Sequence, residues 1–85
     1  MLSNRIIEIF WVDAESTGDS GWMSLEDCEE SIYTPPPVMK TCGYVLNDHD
    51  DYIVVTDSLG TEECGQITKI PRVMVVSIHE LGHLD

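Results

Sequence analysis

The segment most suggestive of chemistry lies near the end of the chain, where residues 78–85 read IHELGHLD. Within it, His79, Glu80 and His83 match the H-E-x-x-H pattern of zinc metalloproteases. On a helix, two histidines four positions apart lie on one face and bind one zinc ion, and the glutamate activates the metal-bound water. A minimal zinc hydrolase is therefore one hypothesis for this chain.

The residues before this pattern favour a strand over a helix. Residues 73–81 are rich in β-branched side chains, namely Val73, Val75, Val76 and Ile78. Such side chains are more common in strands than in helices. In a strand, His79 and Glu80 point to opposite faces, so the zinc geometry does not form. Gly82 would then end the strand, and residues 82–85 would form a flexible tail.

A zinc hydrolase also needs a third protein ligand, for which the sequence offers few candidates. Only two residues follow His83, so the ligand would be Asp85 or a side chain of the turn NDHDD at residues 47–51. That turn lacks the glycine and the spaced acids of a calcium loop. The chain has no nucleophile elbow, phosphate-binding loop or dinucleotide fingerprint. We therefore expect no catalytic residues, no metal and no cofactor.

Chain length and net charge limit the number of domains and the kinds of partner that we expect. A chain of 85 residues makes one small domain, and a domain of this size buries only roughly 60% of the surface of its unfolded chain. Sixteen acidic residues against four basic ones give a net charge of −12. Such a surface repels nucleic-acid phosphates, so general DNA or RNA binding is not expected. The acidity either keeps the protein in solution or imitates nucleic acid toward a basic partner protein.

Cysteine spacing and the N-terminal residues bear on the compartment. The three cysteines, Cys28, Cys42 and Cys64, are an odd number at irregular spacing, which predicts free and partly buried thiols. No apolar run reaches the roughly 18 residues that suggest a membrane span, and the first residues lack the pattern of a signal peptide. We expect a cytoplasmic protein without membrane contact.

The first half of the chain predicts one strand and one short helix. Residues 5–12, RIIEIFWV, have apolar side chains on both faces, which is typical of a central strand. Residues 13–21, DAESTGDSG, have the composition of a loop. Ser24, followed by an acid three positions later, predicts a helix over residues 24–32. The three prolines at residues 35–37 end it.

The second half predicts strands at residues 38–46, 52–58, 64–70 and 73–81. The polar turn NDHDD joins the first two as a hairpin, and Pro71 interrupts the ladder before the last strand. Five short strands in an open sheet would expose two unpaired edges. We therefore predict one mainly β domain over residues 1–85, closed as a small five-stranded barrel with one short helix.

Several stretches of the chain resemble known small β proteins. TCGYVLNDHDDYIVV, residues 41–55, resembles the first Sm motif, and IPRVMVVSIHEL, residues 70–81, is similar to the closing strand that follows it. The W-x-D at Trp11, the Gly21-Trp22 pair, the hairpin and the I-P-R together resemble small bacteriophage accessory proteins. This resemblance covers nearly all of the chain and implies an SH3/Sm-like barrel in the cytoplasm of an infected bacterium.

Several phage proteins of this size act against host defence, some as oligomeric sponges for nucleotide signals, so the resemblance implies a nucleotide pocket between copies. Trp11 or Trp22 would stack on a base, which is worth roughly 1–3 kcal/mol, and Lys69 or Arg72 would contact a phosphate. The implied ligand-binding residues are Trp11, Asp13, Gly21, Trp22, Lys69 and Arg72. Three of these residues also have a simpler interpretation. Trp11 could be a core residue, Trp22 could close one end of the barrel or line a pocket, and Arg72 could be a surface cation.

Three hypotheses therefore stand together. The chain is an oligomeric barrel that sequesters a nucleotide immune signal, an acidic inhibitor that binds a basic host protein, or a minimal H-E-x-x-H zinc metalloprotease. The acidic inhibitor predicts binding that weakens steeply with salt, because salt screens charge attraction within about 8 Å. The thin core predicts a homo-oligomer joined by edge strands or by residues 35–37.

Overall fold

The computed structural model describes residues 4–14 and 21–83, which form one antiparallel sheet, one helix and one 3₁₀ turn. In chain order the elements are β1 (Arg5–Val12), α1 (Leu25–Ile32), β2 (Val38–Asp48), β3 (Tyr52–Thr56), β4 (Ile67–Pro71), the 3₁₀ turn (Arg72–Met74) and β5 (Val75–His83). The predicted mainly β fold class, with five strands and one short helix, is confirmed.

The strands lie side by side in the order β4-β3-β2-β1-β5, and every neighbouring pair is antiparallel. β1 is an interior strand, as its two apolar faces predicted, and β2 and β3 form the predicted hairpin. The sheet is open, since no ladder joins β4 to β5 among the described residues. The predicted closure into a barrel is therefore not seen. Pro71, the last residue of β4, has no amide hydrogen with which to extend the ladder.

The core lies on one face of the sheet and consists of alternate strand residues. Ile7 and Ile9 of β1 are fully buried and pack with four further apolar side chains, Val45, Ile53, Val55 and Ile70. Gly43 of β2 lies opposite Ile7 and carries no side chain. A Cβ atom at this position would lie 2.5 Å from the carbonyl oxygen of Thr56. Glycine therefore allows the close approach of β2 and β3 beside the core.

Two strand boundaries on the β4 side differ from the prediction. β4 begins at Ile67 rather than at residue 64, because the preceding loop turns on itself through Gly60 N–H, which donates to the Glu63 carbonyl oxygen at 2.7 Å. Pro71 was expected to interrupt the ladder, yet it is the last paired residue of β4 and lies opposite Tyr52 of β3. The interruption comes one residue later, at the 3₁₀ turn.

The end of the chain also differs from the prediction. Gly82 and His83 belong to β5 and pair with the first two residues of β1. The flexible tail predicted for residues 82–85 is therefore wrong for its first two residues, because the partner strand is long enough to hold them. Residues 84–85 lie outside the described part of the chain.

β5 follows β1 irregularly. Its ladder shifts twice, so that Val76 and Leu81 have no residue opposite them in β1. Each shift is a β-bulge, which bends an edge strand and re-aims its side chains. Both side chains are exposed, at 61% for Val76 and 54% for Leu81.

Four charged side chains join the strand ends, and we name Arg5, Asp48, Arg72 and Glu80 the arginine cluster. Asp48 accepts a hydrogen bond from Arg5 at 2.8 Å and a second one from Arg72. Arg5 also donates to Glu80 at 3.1 Å. The hydrogen bond from Arg5, aided by the charge of Arg72, holds the pKa of Asp48 below its usual range. The cluster therefore ties β1, β2, β5 and the 3₁₀ turn together at one end of the sheet.

Candidate functional site: an exposed arm

Two of the predicted ligand-binding residues have structural partners. Trp11 packs against the core, and its Nε1–H donates to Thr41 Oγ1 at 2.9 Å. Arg72 donates to Asp48 within the arginine cluster and to the carbonyl oxygen of His49 at 3.1 Å. Trp11 therefore has the core role that its plainer interpretation predicted, and Arg72 would have to leave Asp48 to bind a phosphate.

The other predicted residues lie apart from these two. Lys69 is exposed on β4 and is separated from β1, which carries Trp11, by the two strands β2 and β3. Asp13 follows β1 directly. Gly21 adopts a φ of +83°, a conformation that glycine adopts without strain, and Trp22 beside it is 89% exposed. Within one copy, the described part of the chain therefore does not bring all six of these residues together.

The H-E-x-x-H segment lies in β5, so the predicted strand is confirmed. Ser77 Oγ lies 3.1 Å from His79 Nε2, and Glu8 lies opposite His79 on β1. In the described ranges, no three His, Cys, Asp or Glu side chains come together to hold a metal ion. The helical zinc arrangement is therefore not formed by this segment.

The connection between β1 and β2 is long. We name its residues 21–37 the arm. Its base is fixed at the sheet, where Val12 pairs with Val38 and Asp13 N–H donates to the Pro37 carbonyl oxygen at 3.1 Å. Helix α1 has no buried residue and makes at most minor contact with any strand. The molecule measures 55 Å by 23 Å by 20 Å, and its radius of gyration is 17.1 Å, against roughly 12 Å for a compact chain of this length.

Local interactions explain why α1 forms where it does. Ser24 is the N-cap, as predicted, and its Oγ accepts a hydrogen bond from Asp27 N–H at 3.1 Å. Met23 and Cys28 occupy the positions of a hydrophobic staple across the first turn, and both are half-buried. The helix has eight residues, and isolated helices shorter than about 12–15 residues are marginal in water. α1 therefore needs a surface to pack against for lasting stability.

The arm displays four large apolar side chains that are mostly exposed. The exposed fractions are 89% for Trp22, 86% for Leu25, 73% for Ile32 and 77% for Tyr33. Leu25 and Ile32 are seven positions apart, so they lie on the same face of α1. Sequence reasoning did not single out these two residues, although their helical spacing in an otherwise acidic segment was a readable signal.

The charge of the arm is of one sign. Its ionised side chains are four carboxylates, Glu26, Asp27, Glu29 and Glu30, and it contains no lysine, arginine or histidine. A groove of about 460 Å³ runs beside α1, lined in part by Met23, Cys28, Ile32 and Pro36. The arm therefore combines apolar anchors, a groove and a negative rim, which is the composition of a segment that binds another protein.

The thiols follow the prediction in part. All three cysteines are free. Only Cys28 is partly buried, whereas Cys42 and Cys64 are exposed. Cys42 is exposed because alternate residues of β2 face away from the core, and Cys64 because it lies in the loop before β4.

Comparisons with known proteins returned no match: no family model, no curated protein and no solved structure is significantly similar to the chain. The similarity to phage accessory proteins therefore stays a prediction from short motifs. As a further finding, no helix in the described part of the chain is long and apolar enough to cross a membrane.

Proposed function

We propose that this chain is a non-catalytic interaction protein, and that the arm is the element by which it binds another protein chain. One observation carries this proposal. The sheet completes its core with Ile7, Ile9 and their neighbours, while the large apolar side chains of the arm are left exposed. Exposed apolar side chains that cluster within an acidic rim are typical of protein-binding surfaces.

The form of α1 suits the binding of a helix in a groove. In that mode an amphipathic helix lays its apolar residues into a partner's groove, with anchors spaced by three, four or seven positions. Leu25 and Ile32 have this spacing, and the carboxylates beside them match a groove rimmed by lysine or arginine. A helix that is marginal alone gains its stability when it binds.

The magnitudes predict moderate affinity. Burying a side chain such as Leu25 or Ile32 contributes about 1.5–3 kcal/mol, while association itself costs about 4–15 kcal/mol. Four exposed apolar side chains therefore roughly offset the cost of association, and the carboxylates supply the remainder. Binding through the arm is accordingly expected to be reversible and sensitive to salt.

The nucleotide hypothesis receives less support from the geometry. It requires an aromatic face and a cation that point at one ligand, whereas Trp11 packs against the core and Arg72 is bound to Asp48. A nucleotide pocket built between copies stays a prediction that follows from the resemblance. The acidic-inhibitor hypothesis needs no such rearrangement, because the negative rim of the arm is already at the surface.

Site-specific photo-crosslinking tests the proposed role of the arm. A benzophenone amino acid is placed at Leu25 in the arm or at Thr61 in the exposed loop before β4, and the protein is irradiated in the cells from which the sequence comes. We expect discrete protein adducts from position 25 and none from position 61. Adducts at equal levels from both positions, or from neither, would contradict a docking role for the arm.

A further inference from the structure

Charge is distributed unevenly along the chain. Residues 66–83 hold two cations, Lys69 and Arg72, against one acid, Glu80, whereas the whole chain has sixteen acids against four basic residues. The arm holds four carboxylates and no cation. Like charges on two approaching surfaces repel, and opposite charges steer them together. The C-terminal part of another copy is therefore a region that an acidic arm approaches with little repulsion, as are residues 38–47, which hold Lys40 and no acid.

The same C-terminal part carries exposed apolar side chains. Val73 of the 3₁₀ turn is 93% exposed, and the two bulge residues Val76 and Leu81 are exposed as well. We name these three residues the C-terminal strip. Val76 and Leu81 are five strand positions apart, or about 16 Å, and Leu25 and Ile32 of the arm are about 10 Å apart along α1. The arm therefore offers two apolar side chains about 10 Å apart, and β5 offers two about 16 Å apart.

We propose that the arm of one copy binds the C-terminal strip of a second copy, which rests on the proposed docking function of the arm. Each copy then offers one arm and one strip. Two copies that exchange arms reciprocally satisfy both surfaces and form a closed pair with twofold symmetry. The bulges of β5 interrupt the regular row of backbone hydrogen-bonding groups that another strand would need for pairing. In the proposed pair, the partner therefore contacts the side chains of β5.

The charge of α1 makes this pairing directional. An arm placed against another arm would bring together two sets of four carboxylates, which repel each other. An arm placed against the strip instead meets β5, whose His79 packs edge-on against Phe10, and Lys40 Nζ lies 5.4 Å from the centre of that Phe10 ring. Arm-to-strip contact between two copies is therefore favoured over arm-to-arm contact.

Light scattering on the purified protein tests the assembly. The wild-type chain of 9.5 kDa is expected to elute with the mass of two copies. The arm variant Leu25→Ser/Ile32→Ser and the strip variant Val76→Thr/Leu81→Ser are each expected to raise the dissociation constant at least about a hundredfold, since each lost anchor is worth about tenfold. The control Ile67→Thr alters an apolar residue that is 48% exposed on β4 and leaves the mass unchanged.

Mixing the two variants separates arm-to-strip contact from other arrangements. The strip variant still has an intact arm, and the arm variant still has an intact strip, so one of the two contacts can form between them. We expect each variant alone to be monomeric and the mixture to contain a mixed pair, detected by light scattering with one variant carrying a mass tag. A mixture that stays monomeric would contradict the proposed contact, as would a dimer that neither variant weakens.

The proposed function and this inference can fail separately. A monomeric wild type at high concentration overturns the second copy as partner. Crosslinked adducts from Leu25 whose mass differs from that of two copies then still support the arm as a docking element for a different protein. Absence of every adduct, with a monomer, overturns both.

Discussion

The sheet and the arm differ in how far their apolar side chains are buried. In the sheet, apolar side chains of neighbouring strands pack against one another, so Ile9 is fully buried. In the arm, Leu25 is 86% exposed although its residue type is equally apolar. The difference shows that this chain completes its core with the sheet alone and leaves the arm for another surface.

Replacing Ile9 by Ala should have the largest effect. The substitution leaves a cavity between β1 and its neighbours, and such truncations cost about 2–5 kcal/mol. The matched change Leu25→Ala removes an exposed side chain, and surface changes stay within about 0.5 kcal/mol. Thermal melts of dilute protein should show a large loss for Ile9→Ala and almost none for Leu25→Ala. Equal losses would show that the arm belongs to the core.

Replacing Gly43 by Ala should have the next largest effect. The new Cβ atom would lie 2.5 Å from the carbonyl oxygen of Thr56, so β2 and β3 must move apart. Overpacking of this kind costs about 1–3 kcal/mol. Gly82→Ala is the matched control in β5, since its Cβ would meet only Ile6, at an ordinary distance of 3.9 Å. Urea unfolding that showed the same loss for both variants would contradict the close approach at Gly43.

Replacing Asp48 by Asn should have a moderate effect that depends on pH. The pKa of Asp48 is lowered in the folded protein by Arg5, so its carboxylate stabilises the fold above the unfolded pKa of about 4 and ceases to do so as pH falls through the folded pKa. Because the side chain is 43% exposed, we expect a loss of only about 1 kcal/mol near pH 7.

Thermal melts across pH check this prediction. The wild type and Asp48→Asn should differ near neutral pH and converge in acid, below the folded pKa of Asp48. Asp50→Asn, in the same exposed turn, is the matched control and should follow the wild type throughout. A difference that persists unchanged into strong acid would contradict the role of the carboxylate charge.

Replacing Ser24 by Ala should have the smallest effect on global stability. The variant loses the hydrogen bond from Asp27 N–H, and loss of an N-cap weakens a helix by about 0.5–2 kcal/mol. Since α1 makes at most minor contact with the strands, dilute protein should lose helical circular dichroism with almost no change in melting temperature. A melting temperature that falls together with the helical signal would contradict the independence of the arm.

Much of the sheet could be predicted from local patterns. The bounds of β1 matched residues 5–12 because its β-branched and aromatic residues fit a strand and a loop composition follows it. Helix α1 was predicted from its cap at Ser24 and from the prolines after it. The strand character of β5 was predicted from its β-branched residues.

The features that the sequence did not predict depend on tertiary contacts. The bulges at Val76 and Leu81 depend on how β5 lies against β1, and no local pattern encodes an extra residue in a ladder. The pairing of Arg72 with Asp48 joins residues that are far apart in sequence, so Arg72 was interpreted as an available cation. The exposure of the arm is a tertiary property, because an amphipathic pattern predicts an apolar face without saying what covers it.

Hydrogen exchange at two protein concentrations tests whether the arm binds another chain. At high concentration we expect protection of α1 and of the C-terminal strip, and on dilution this protection should fall while that of β1 and β2 stays unchanged. Protection of α1 that equals that of β1 at every concentration would contradict the account, because the arm would then be part of the core of a single copy.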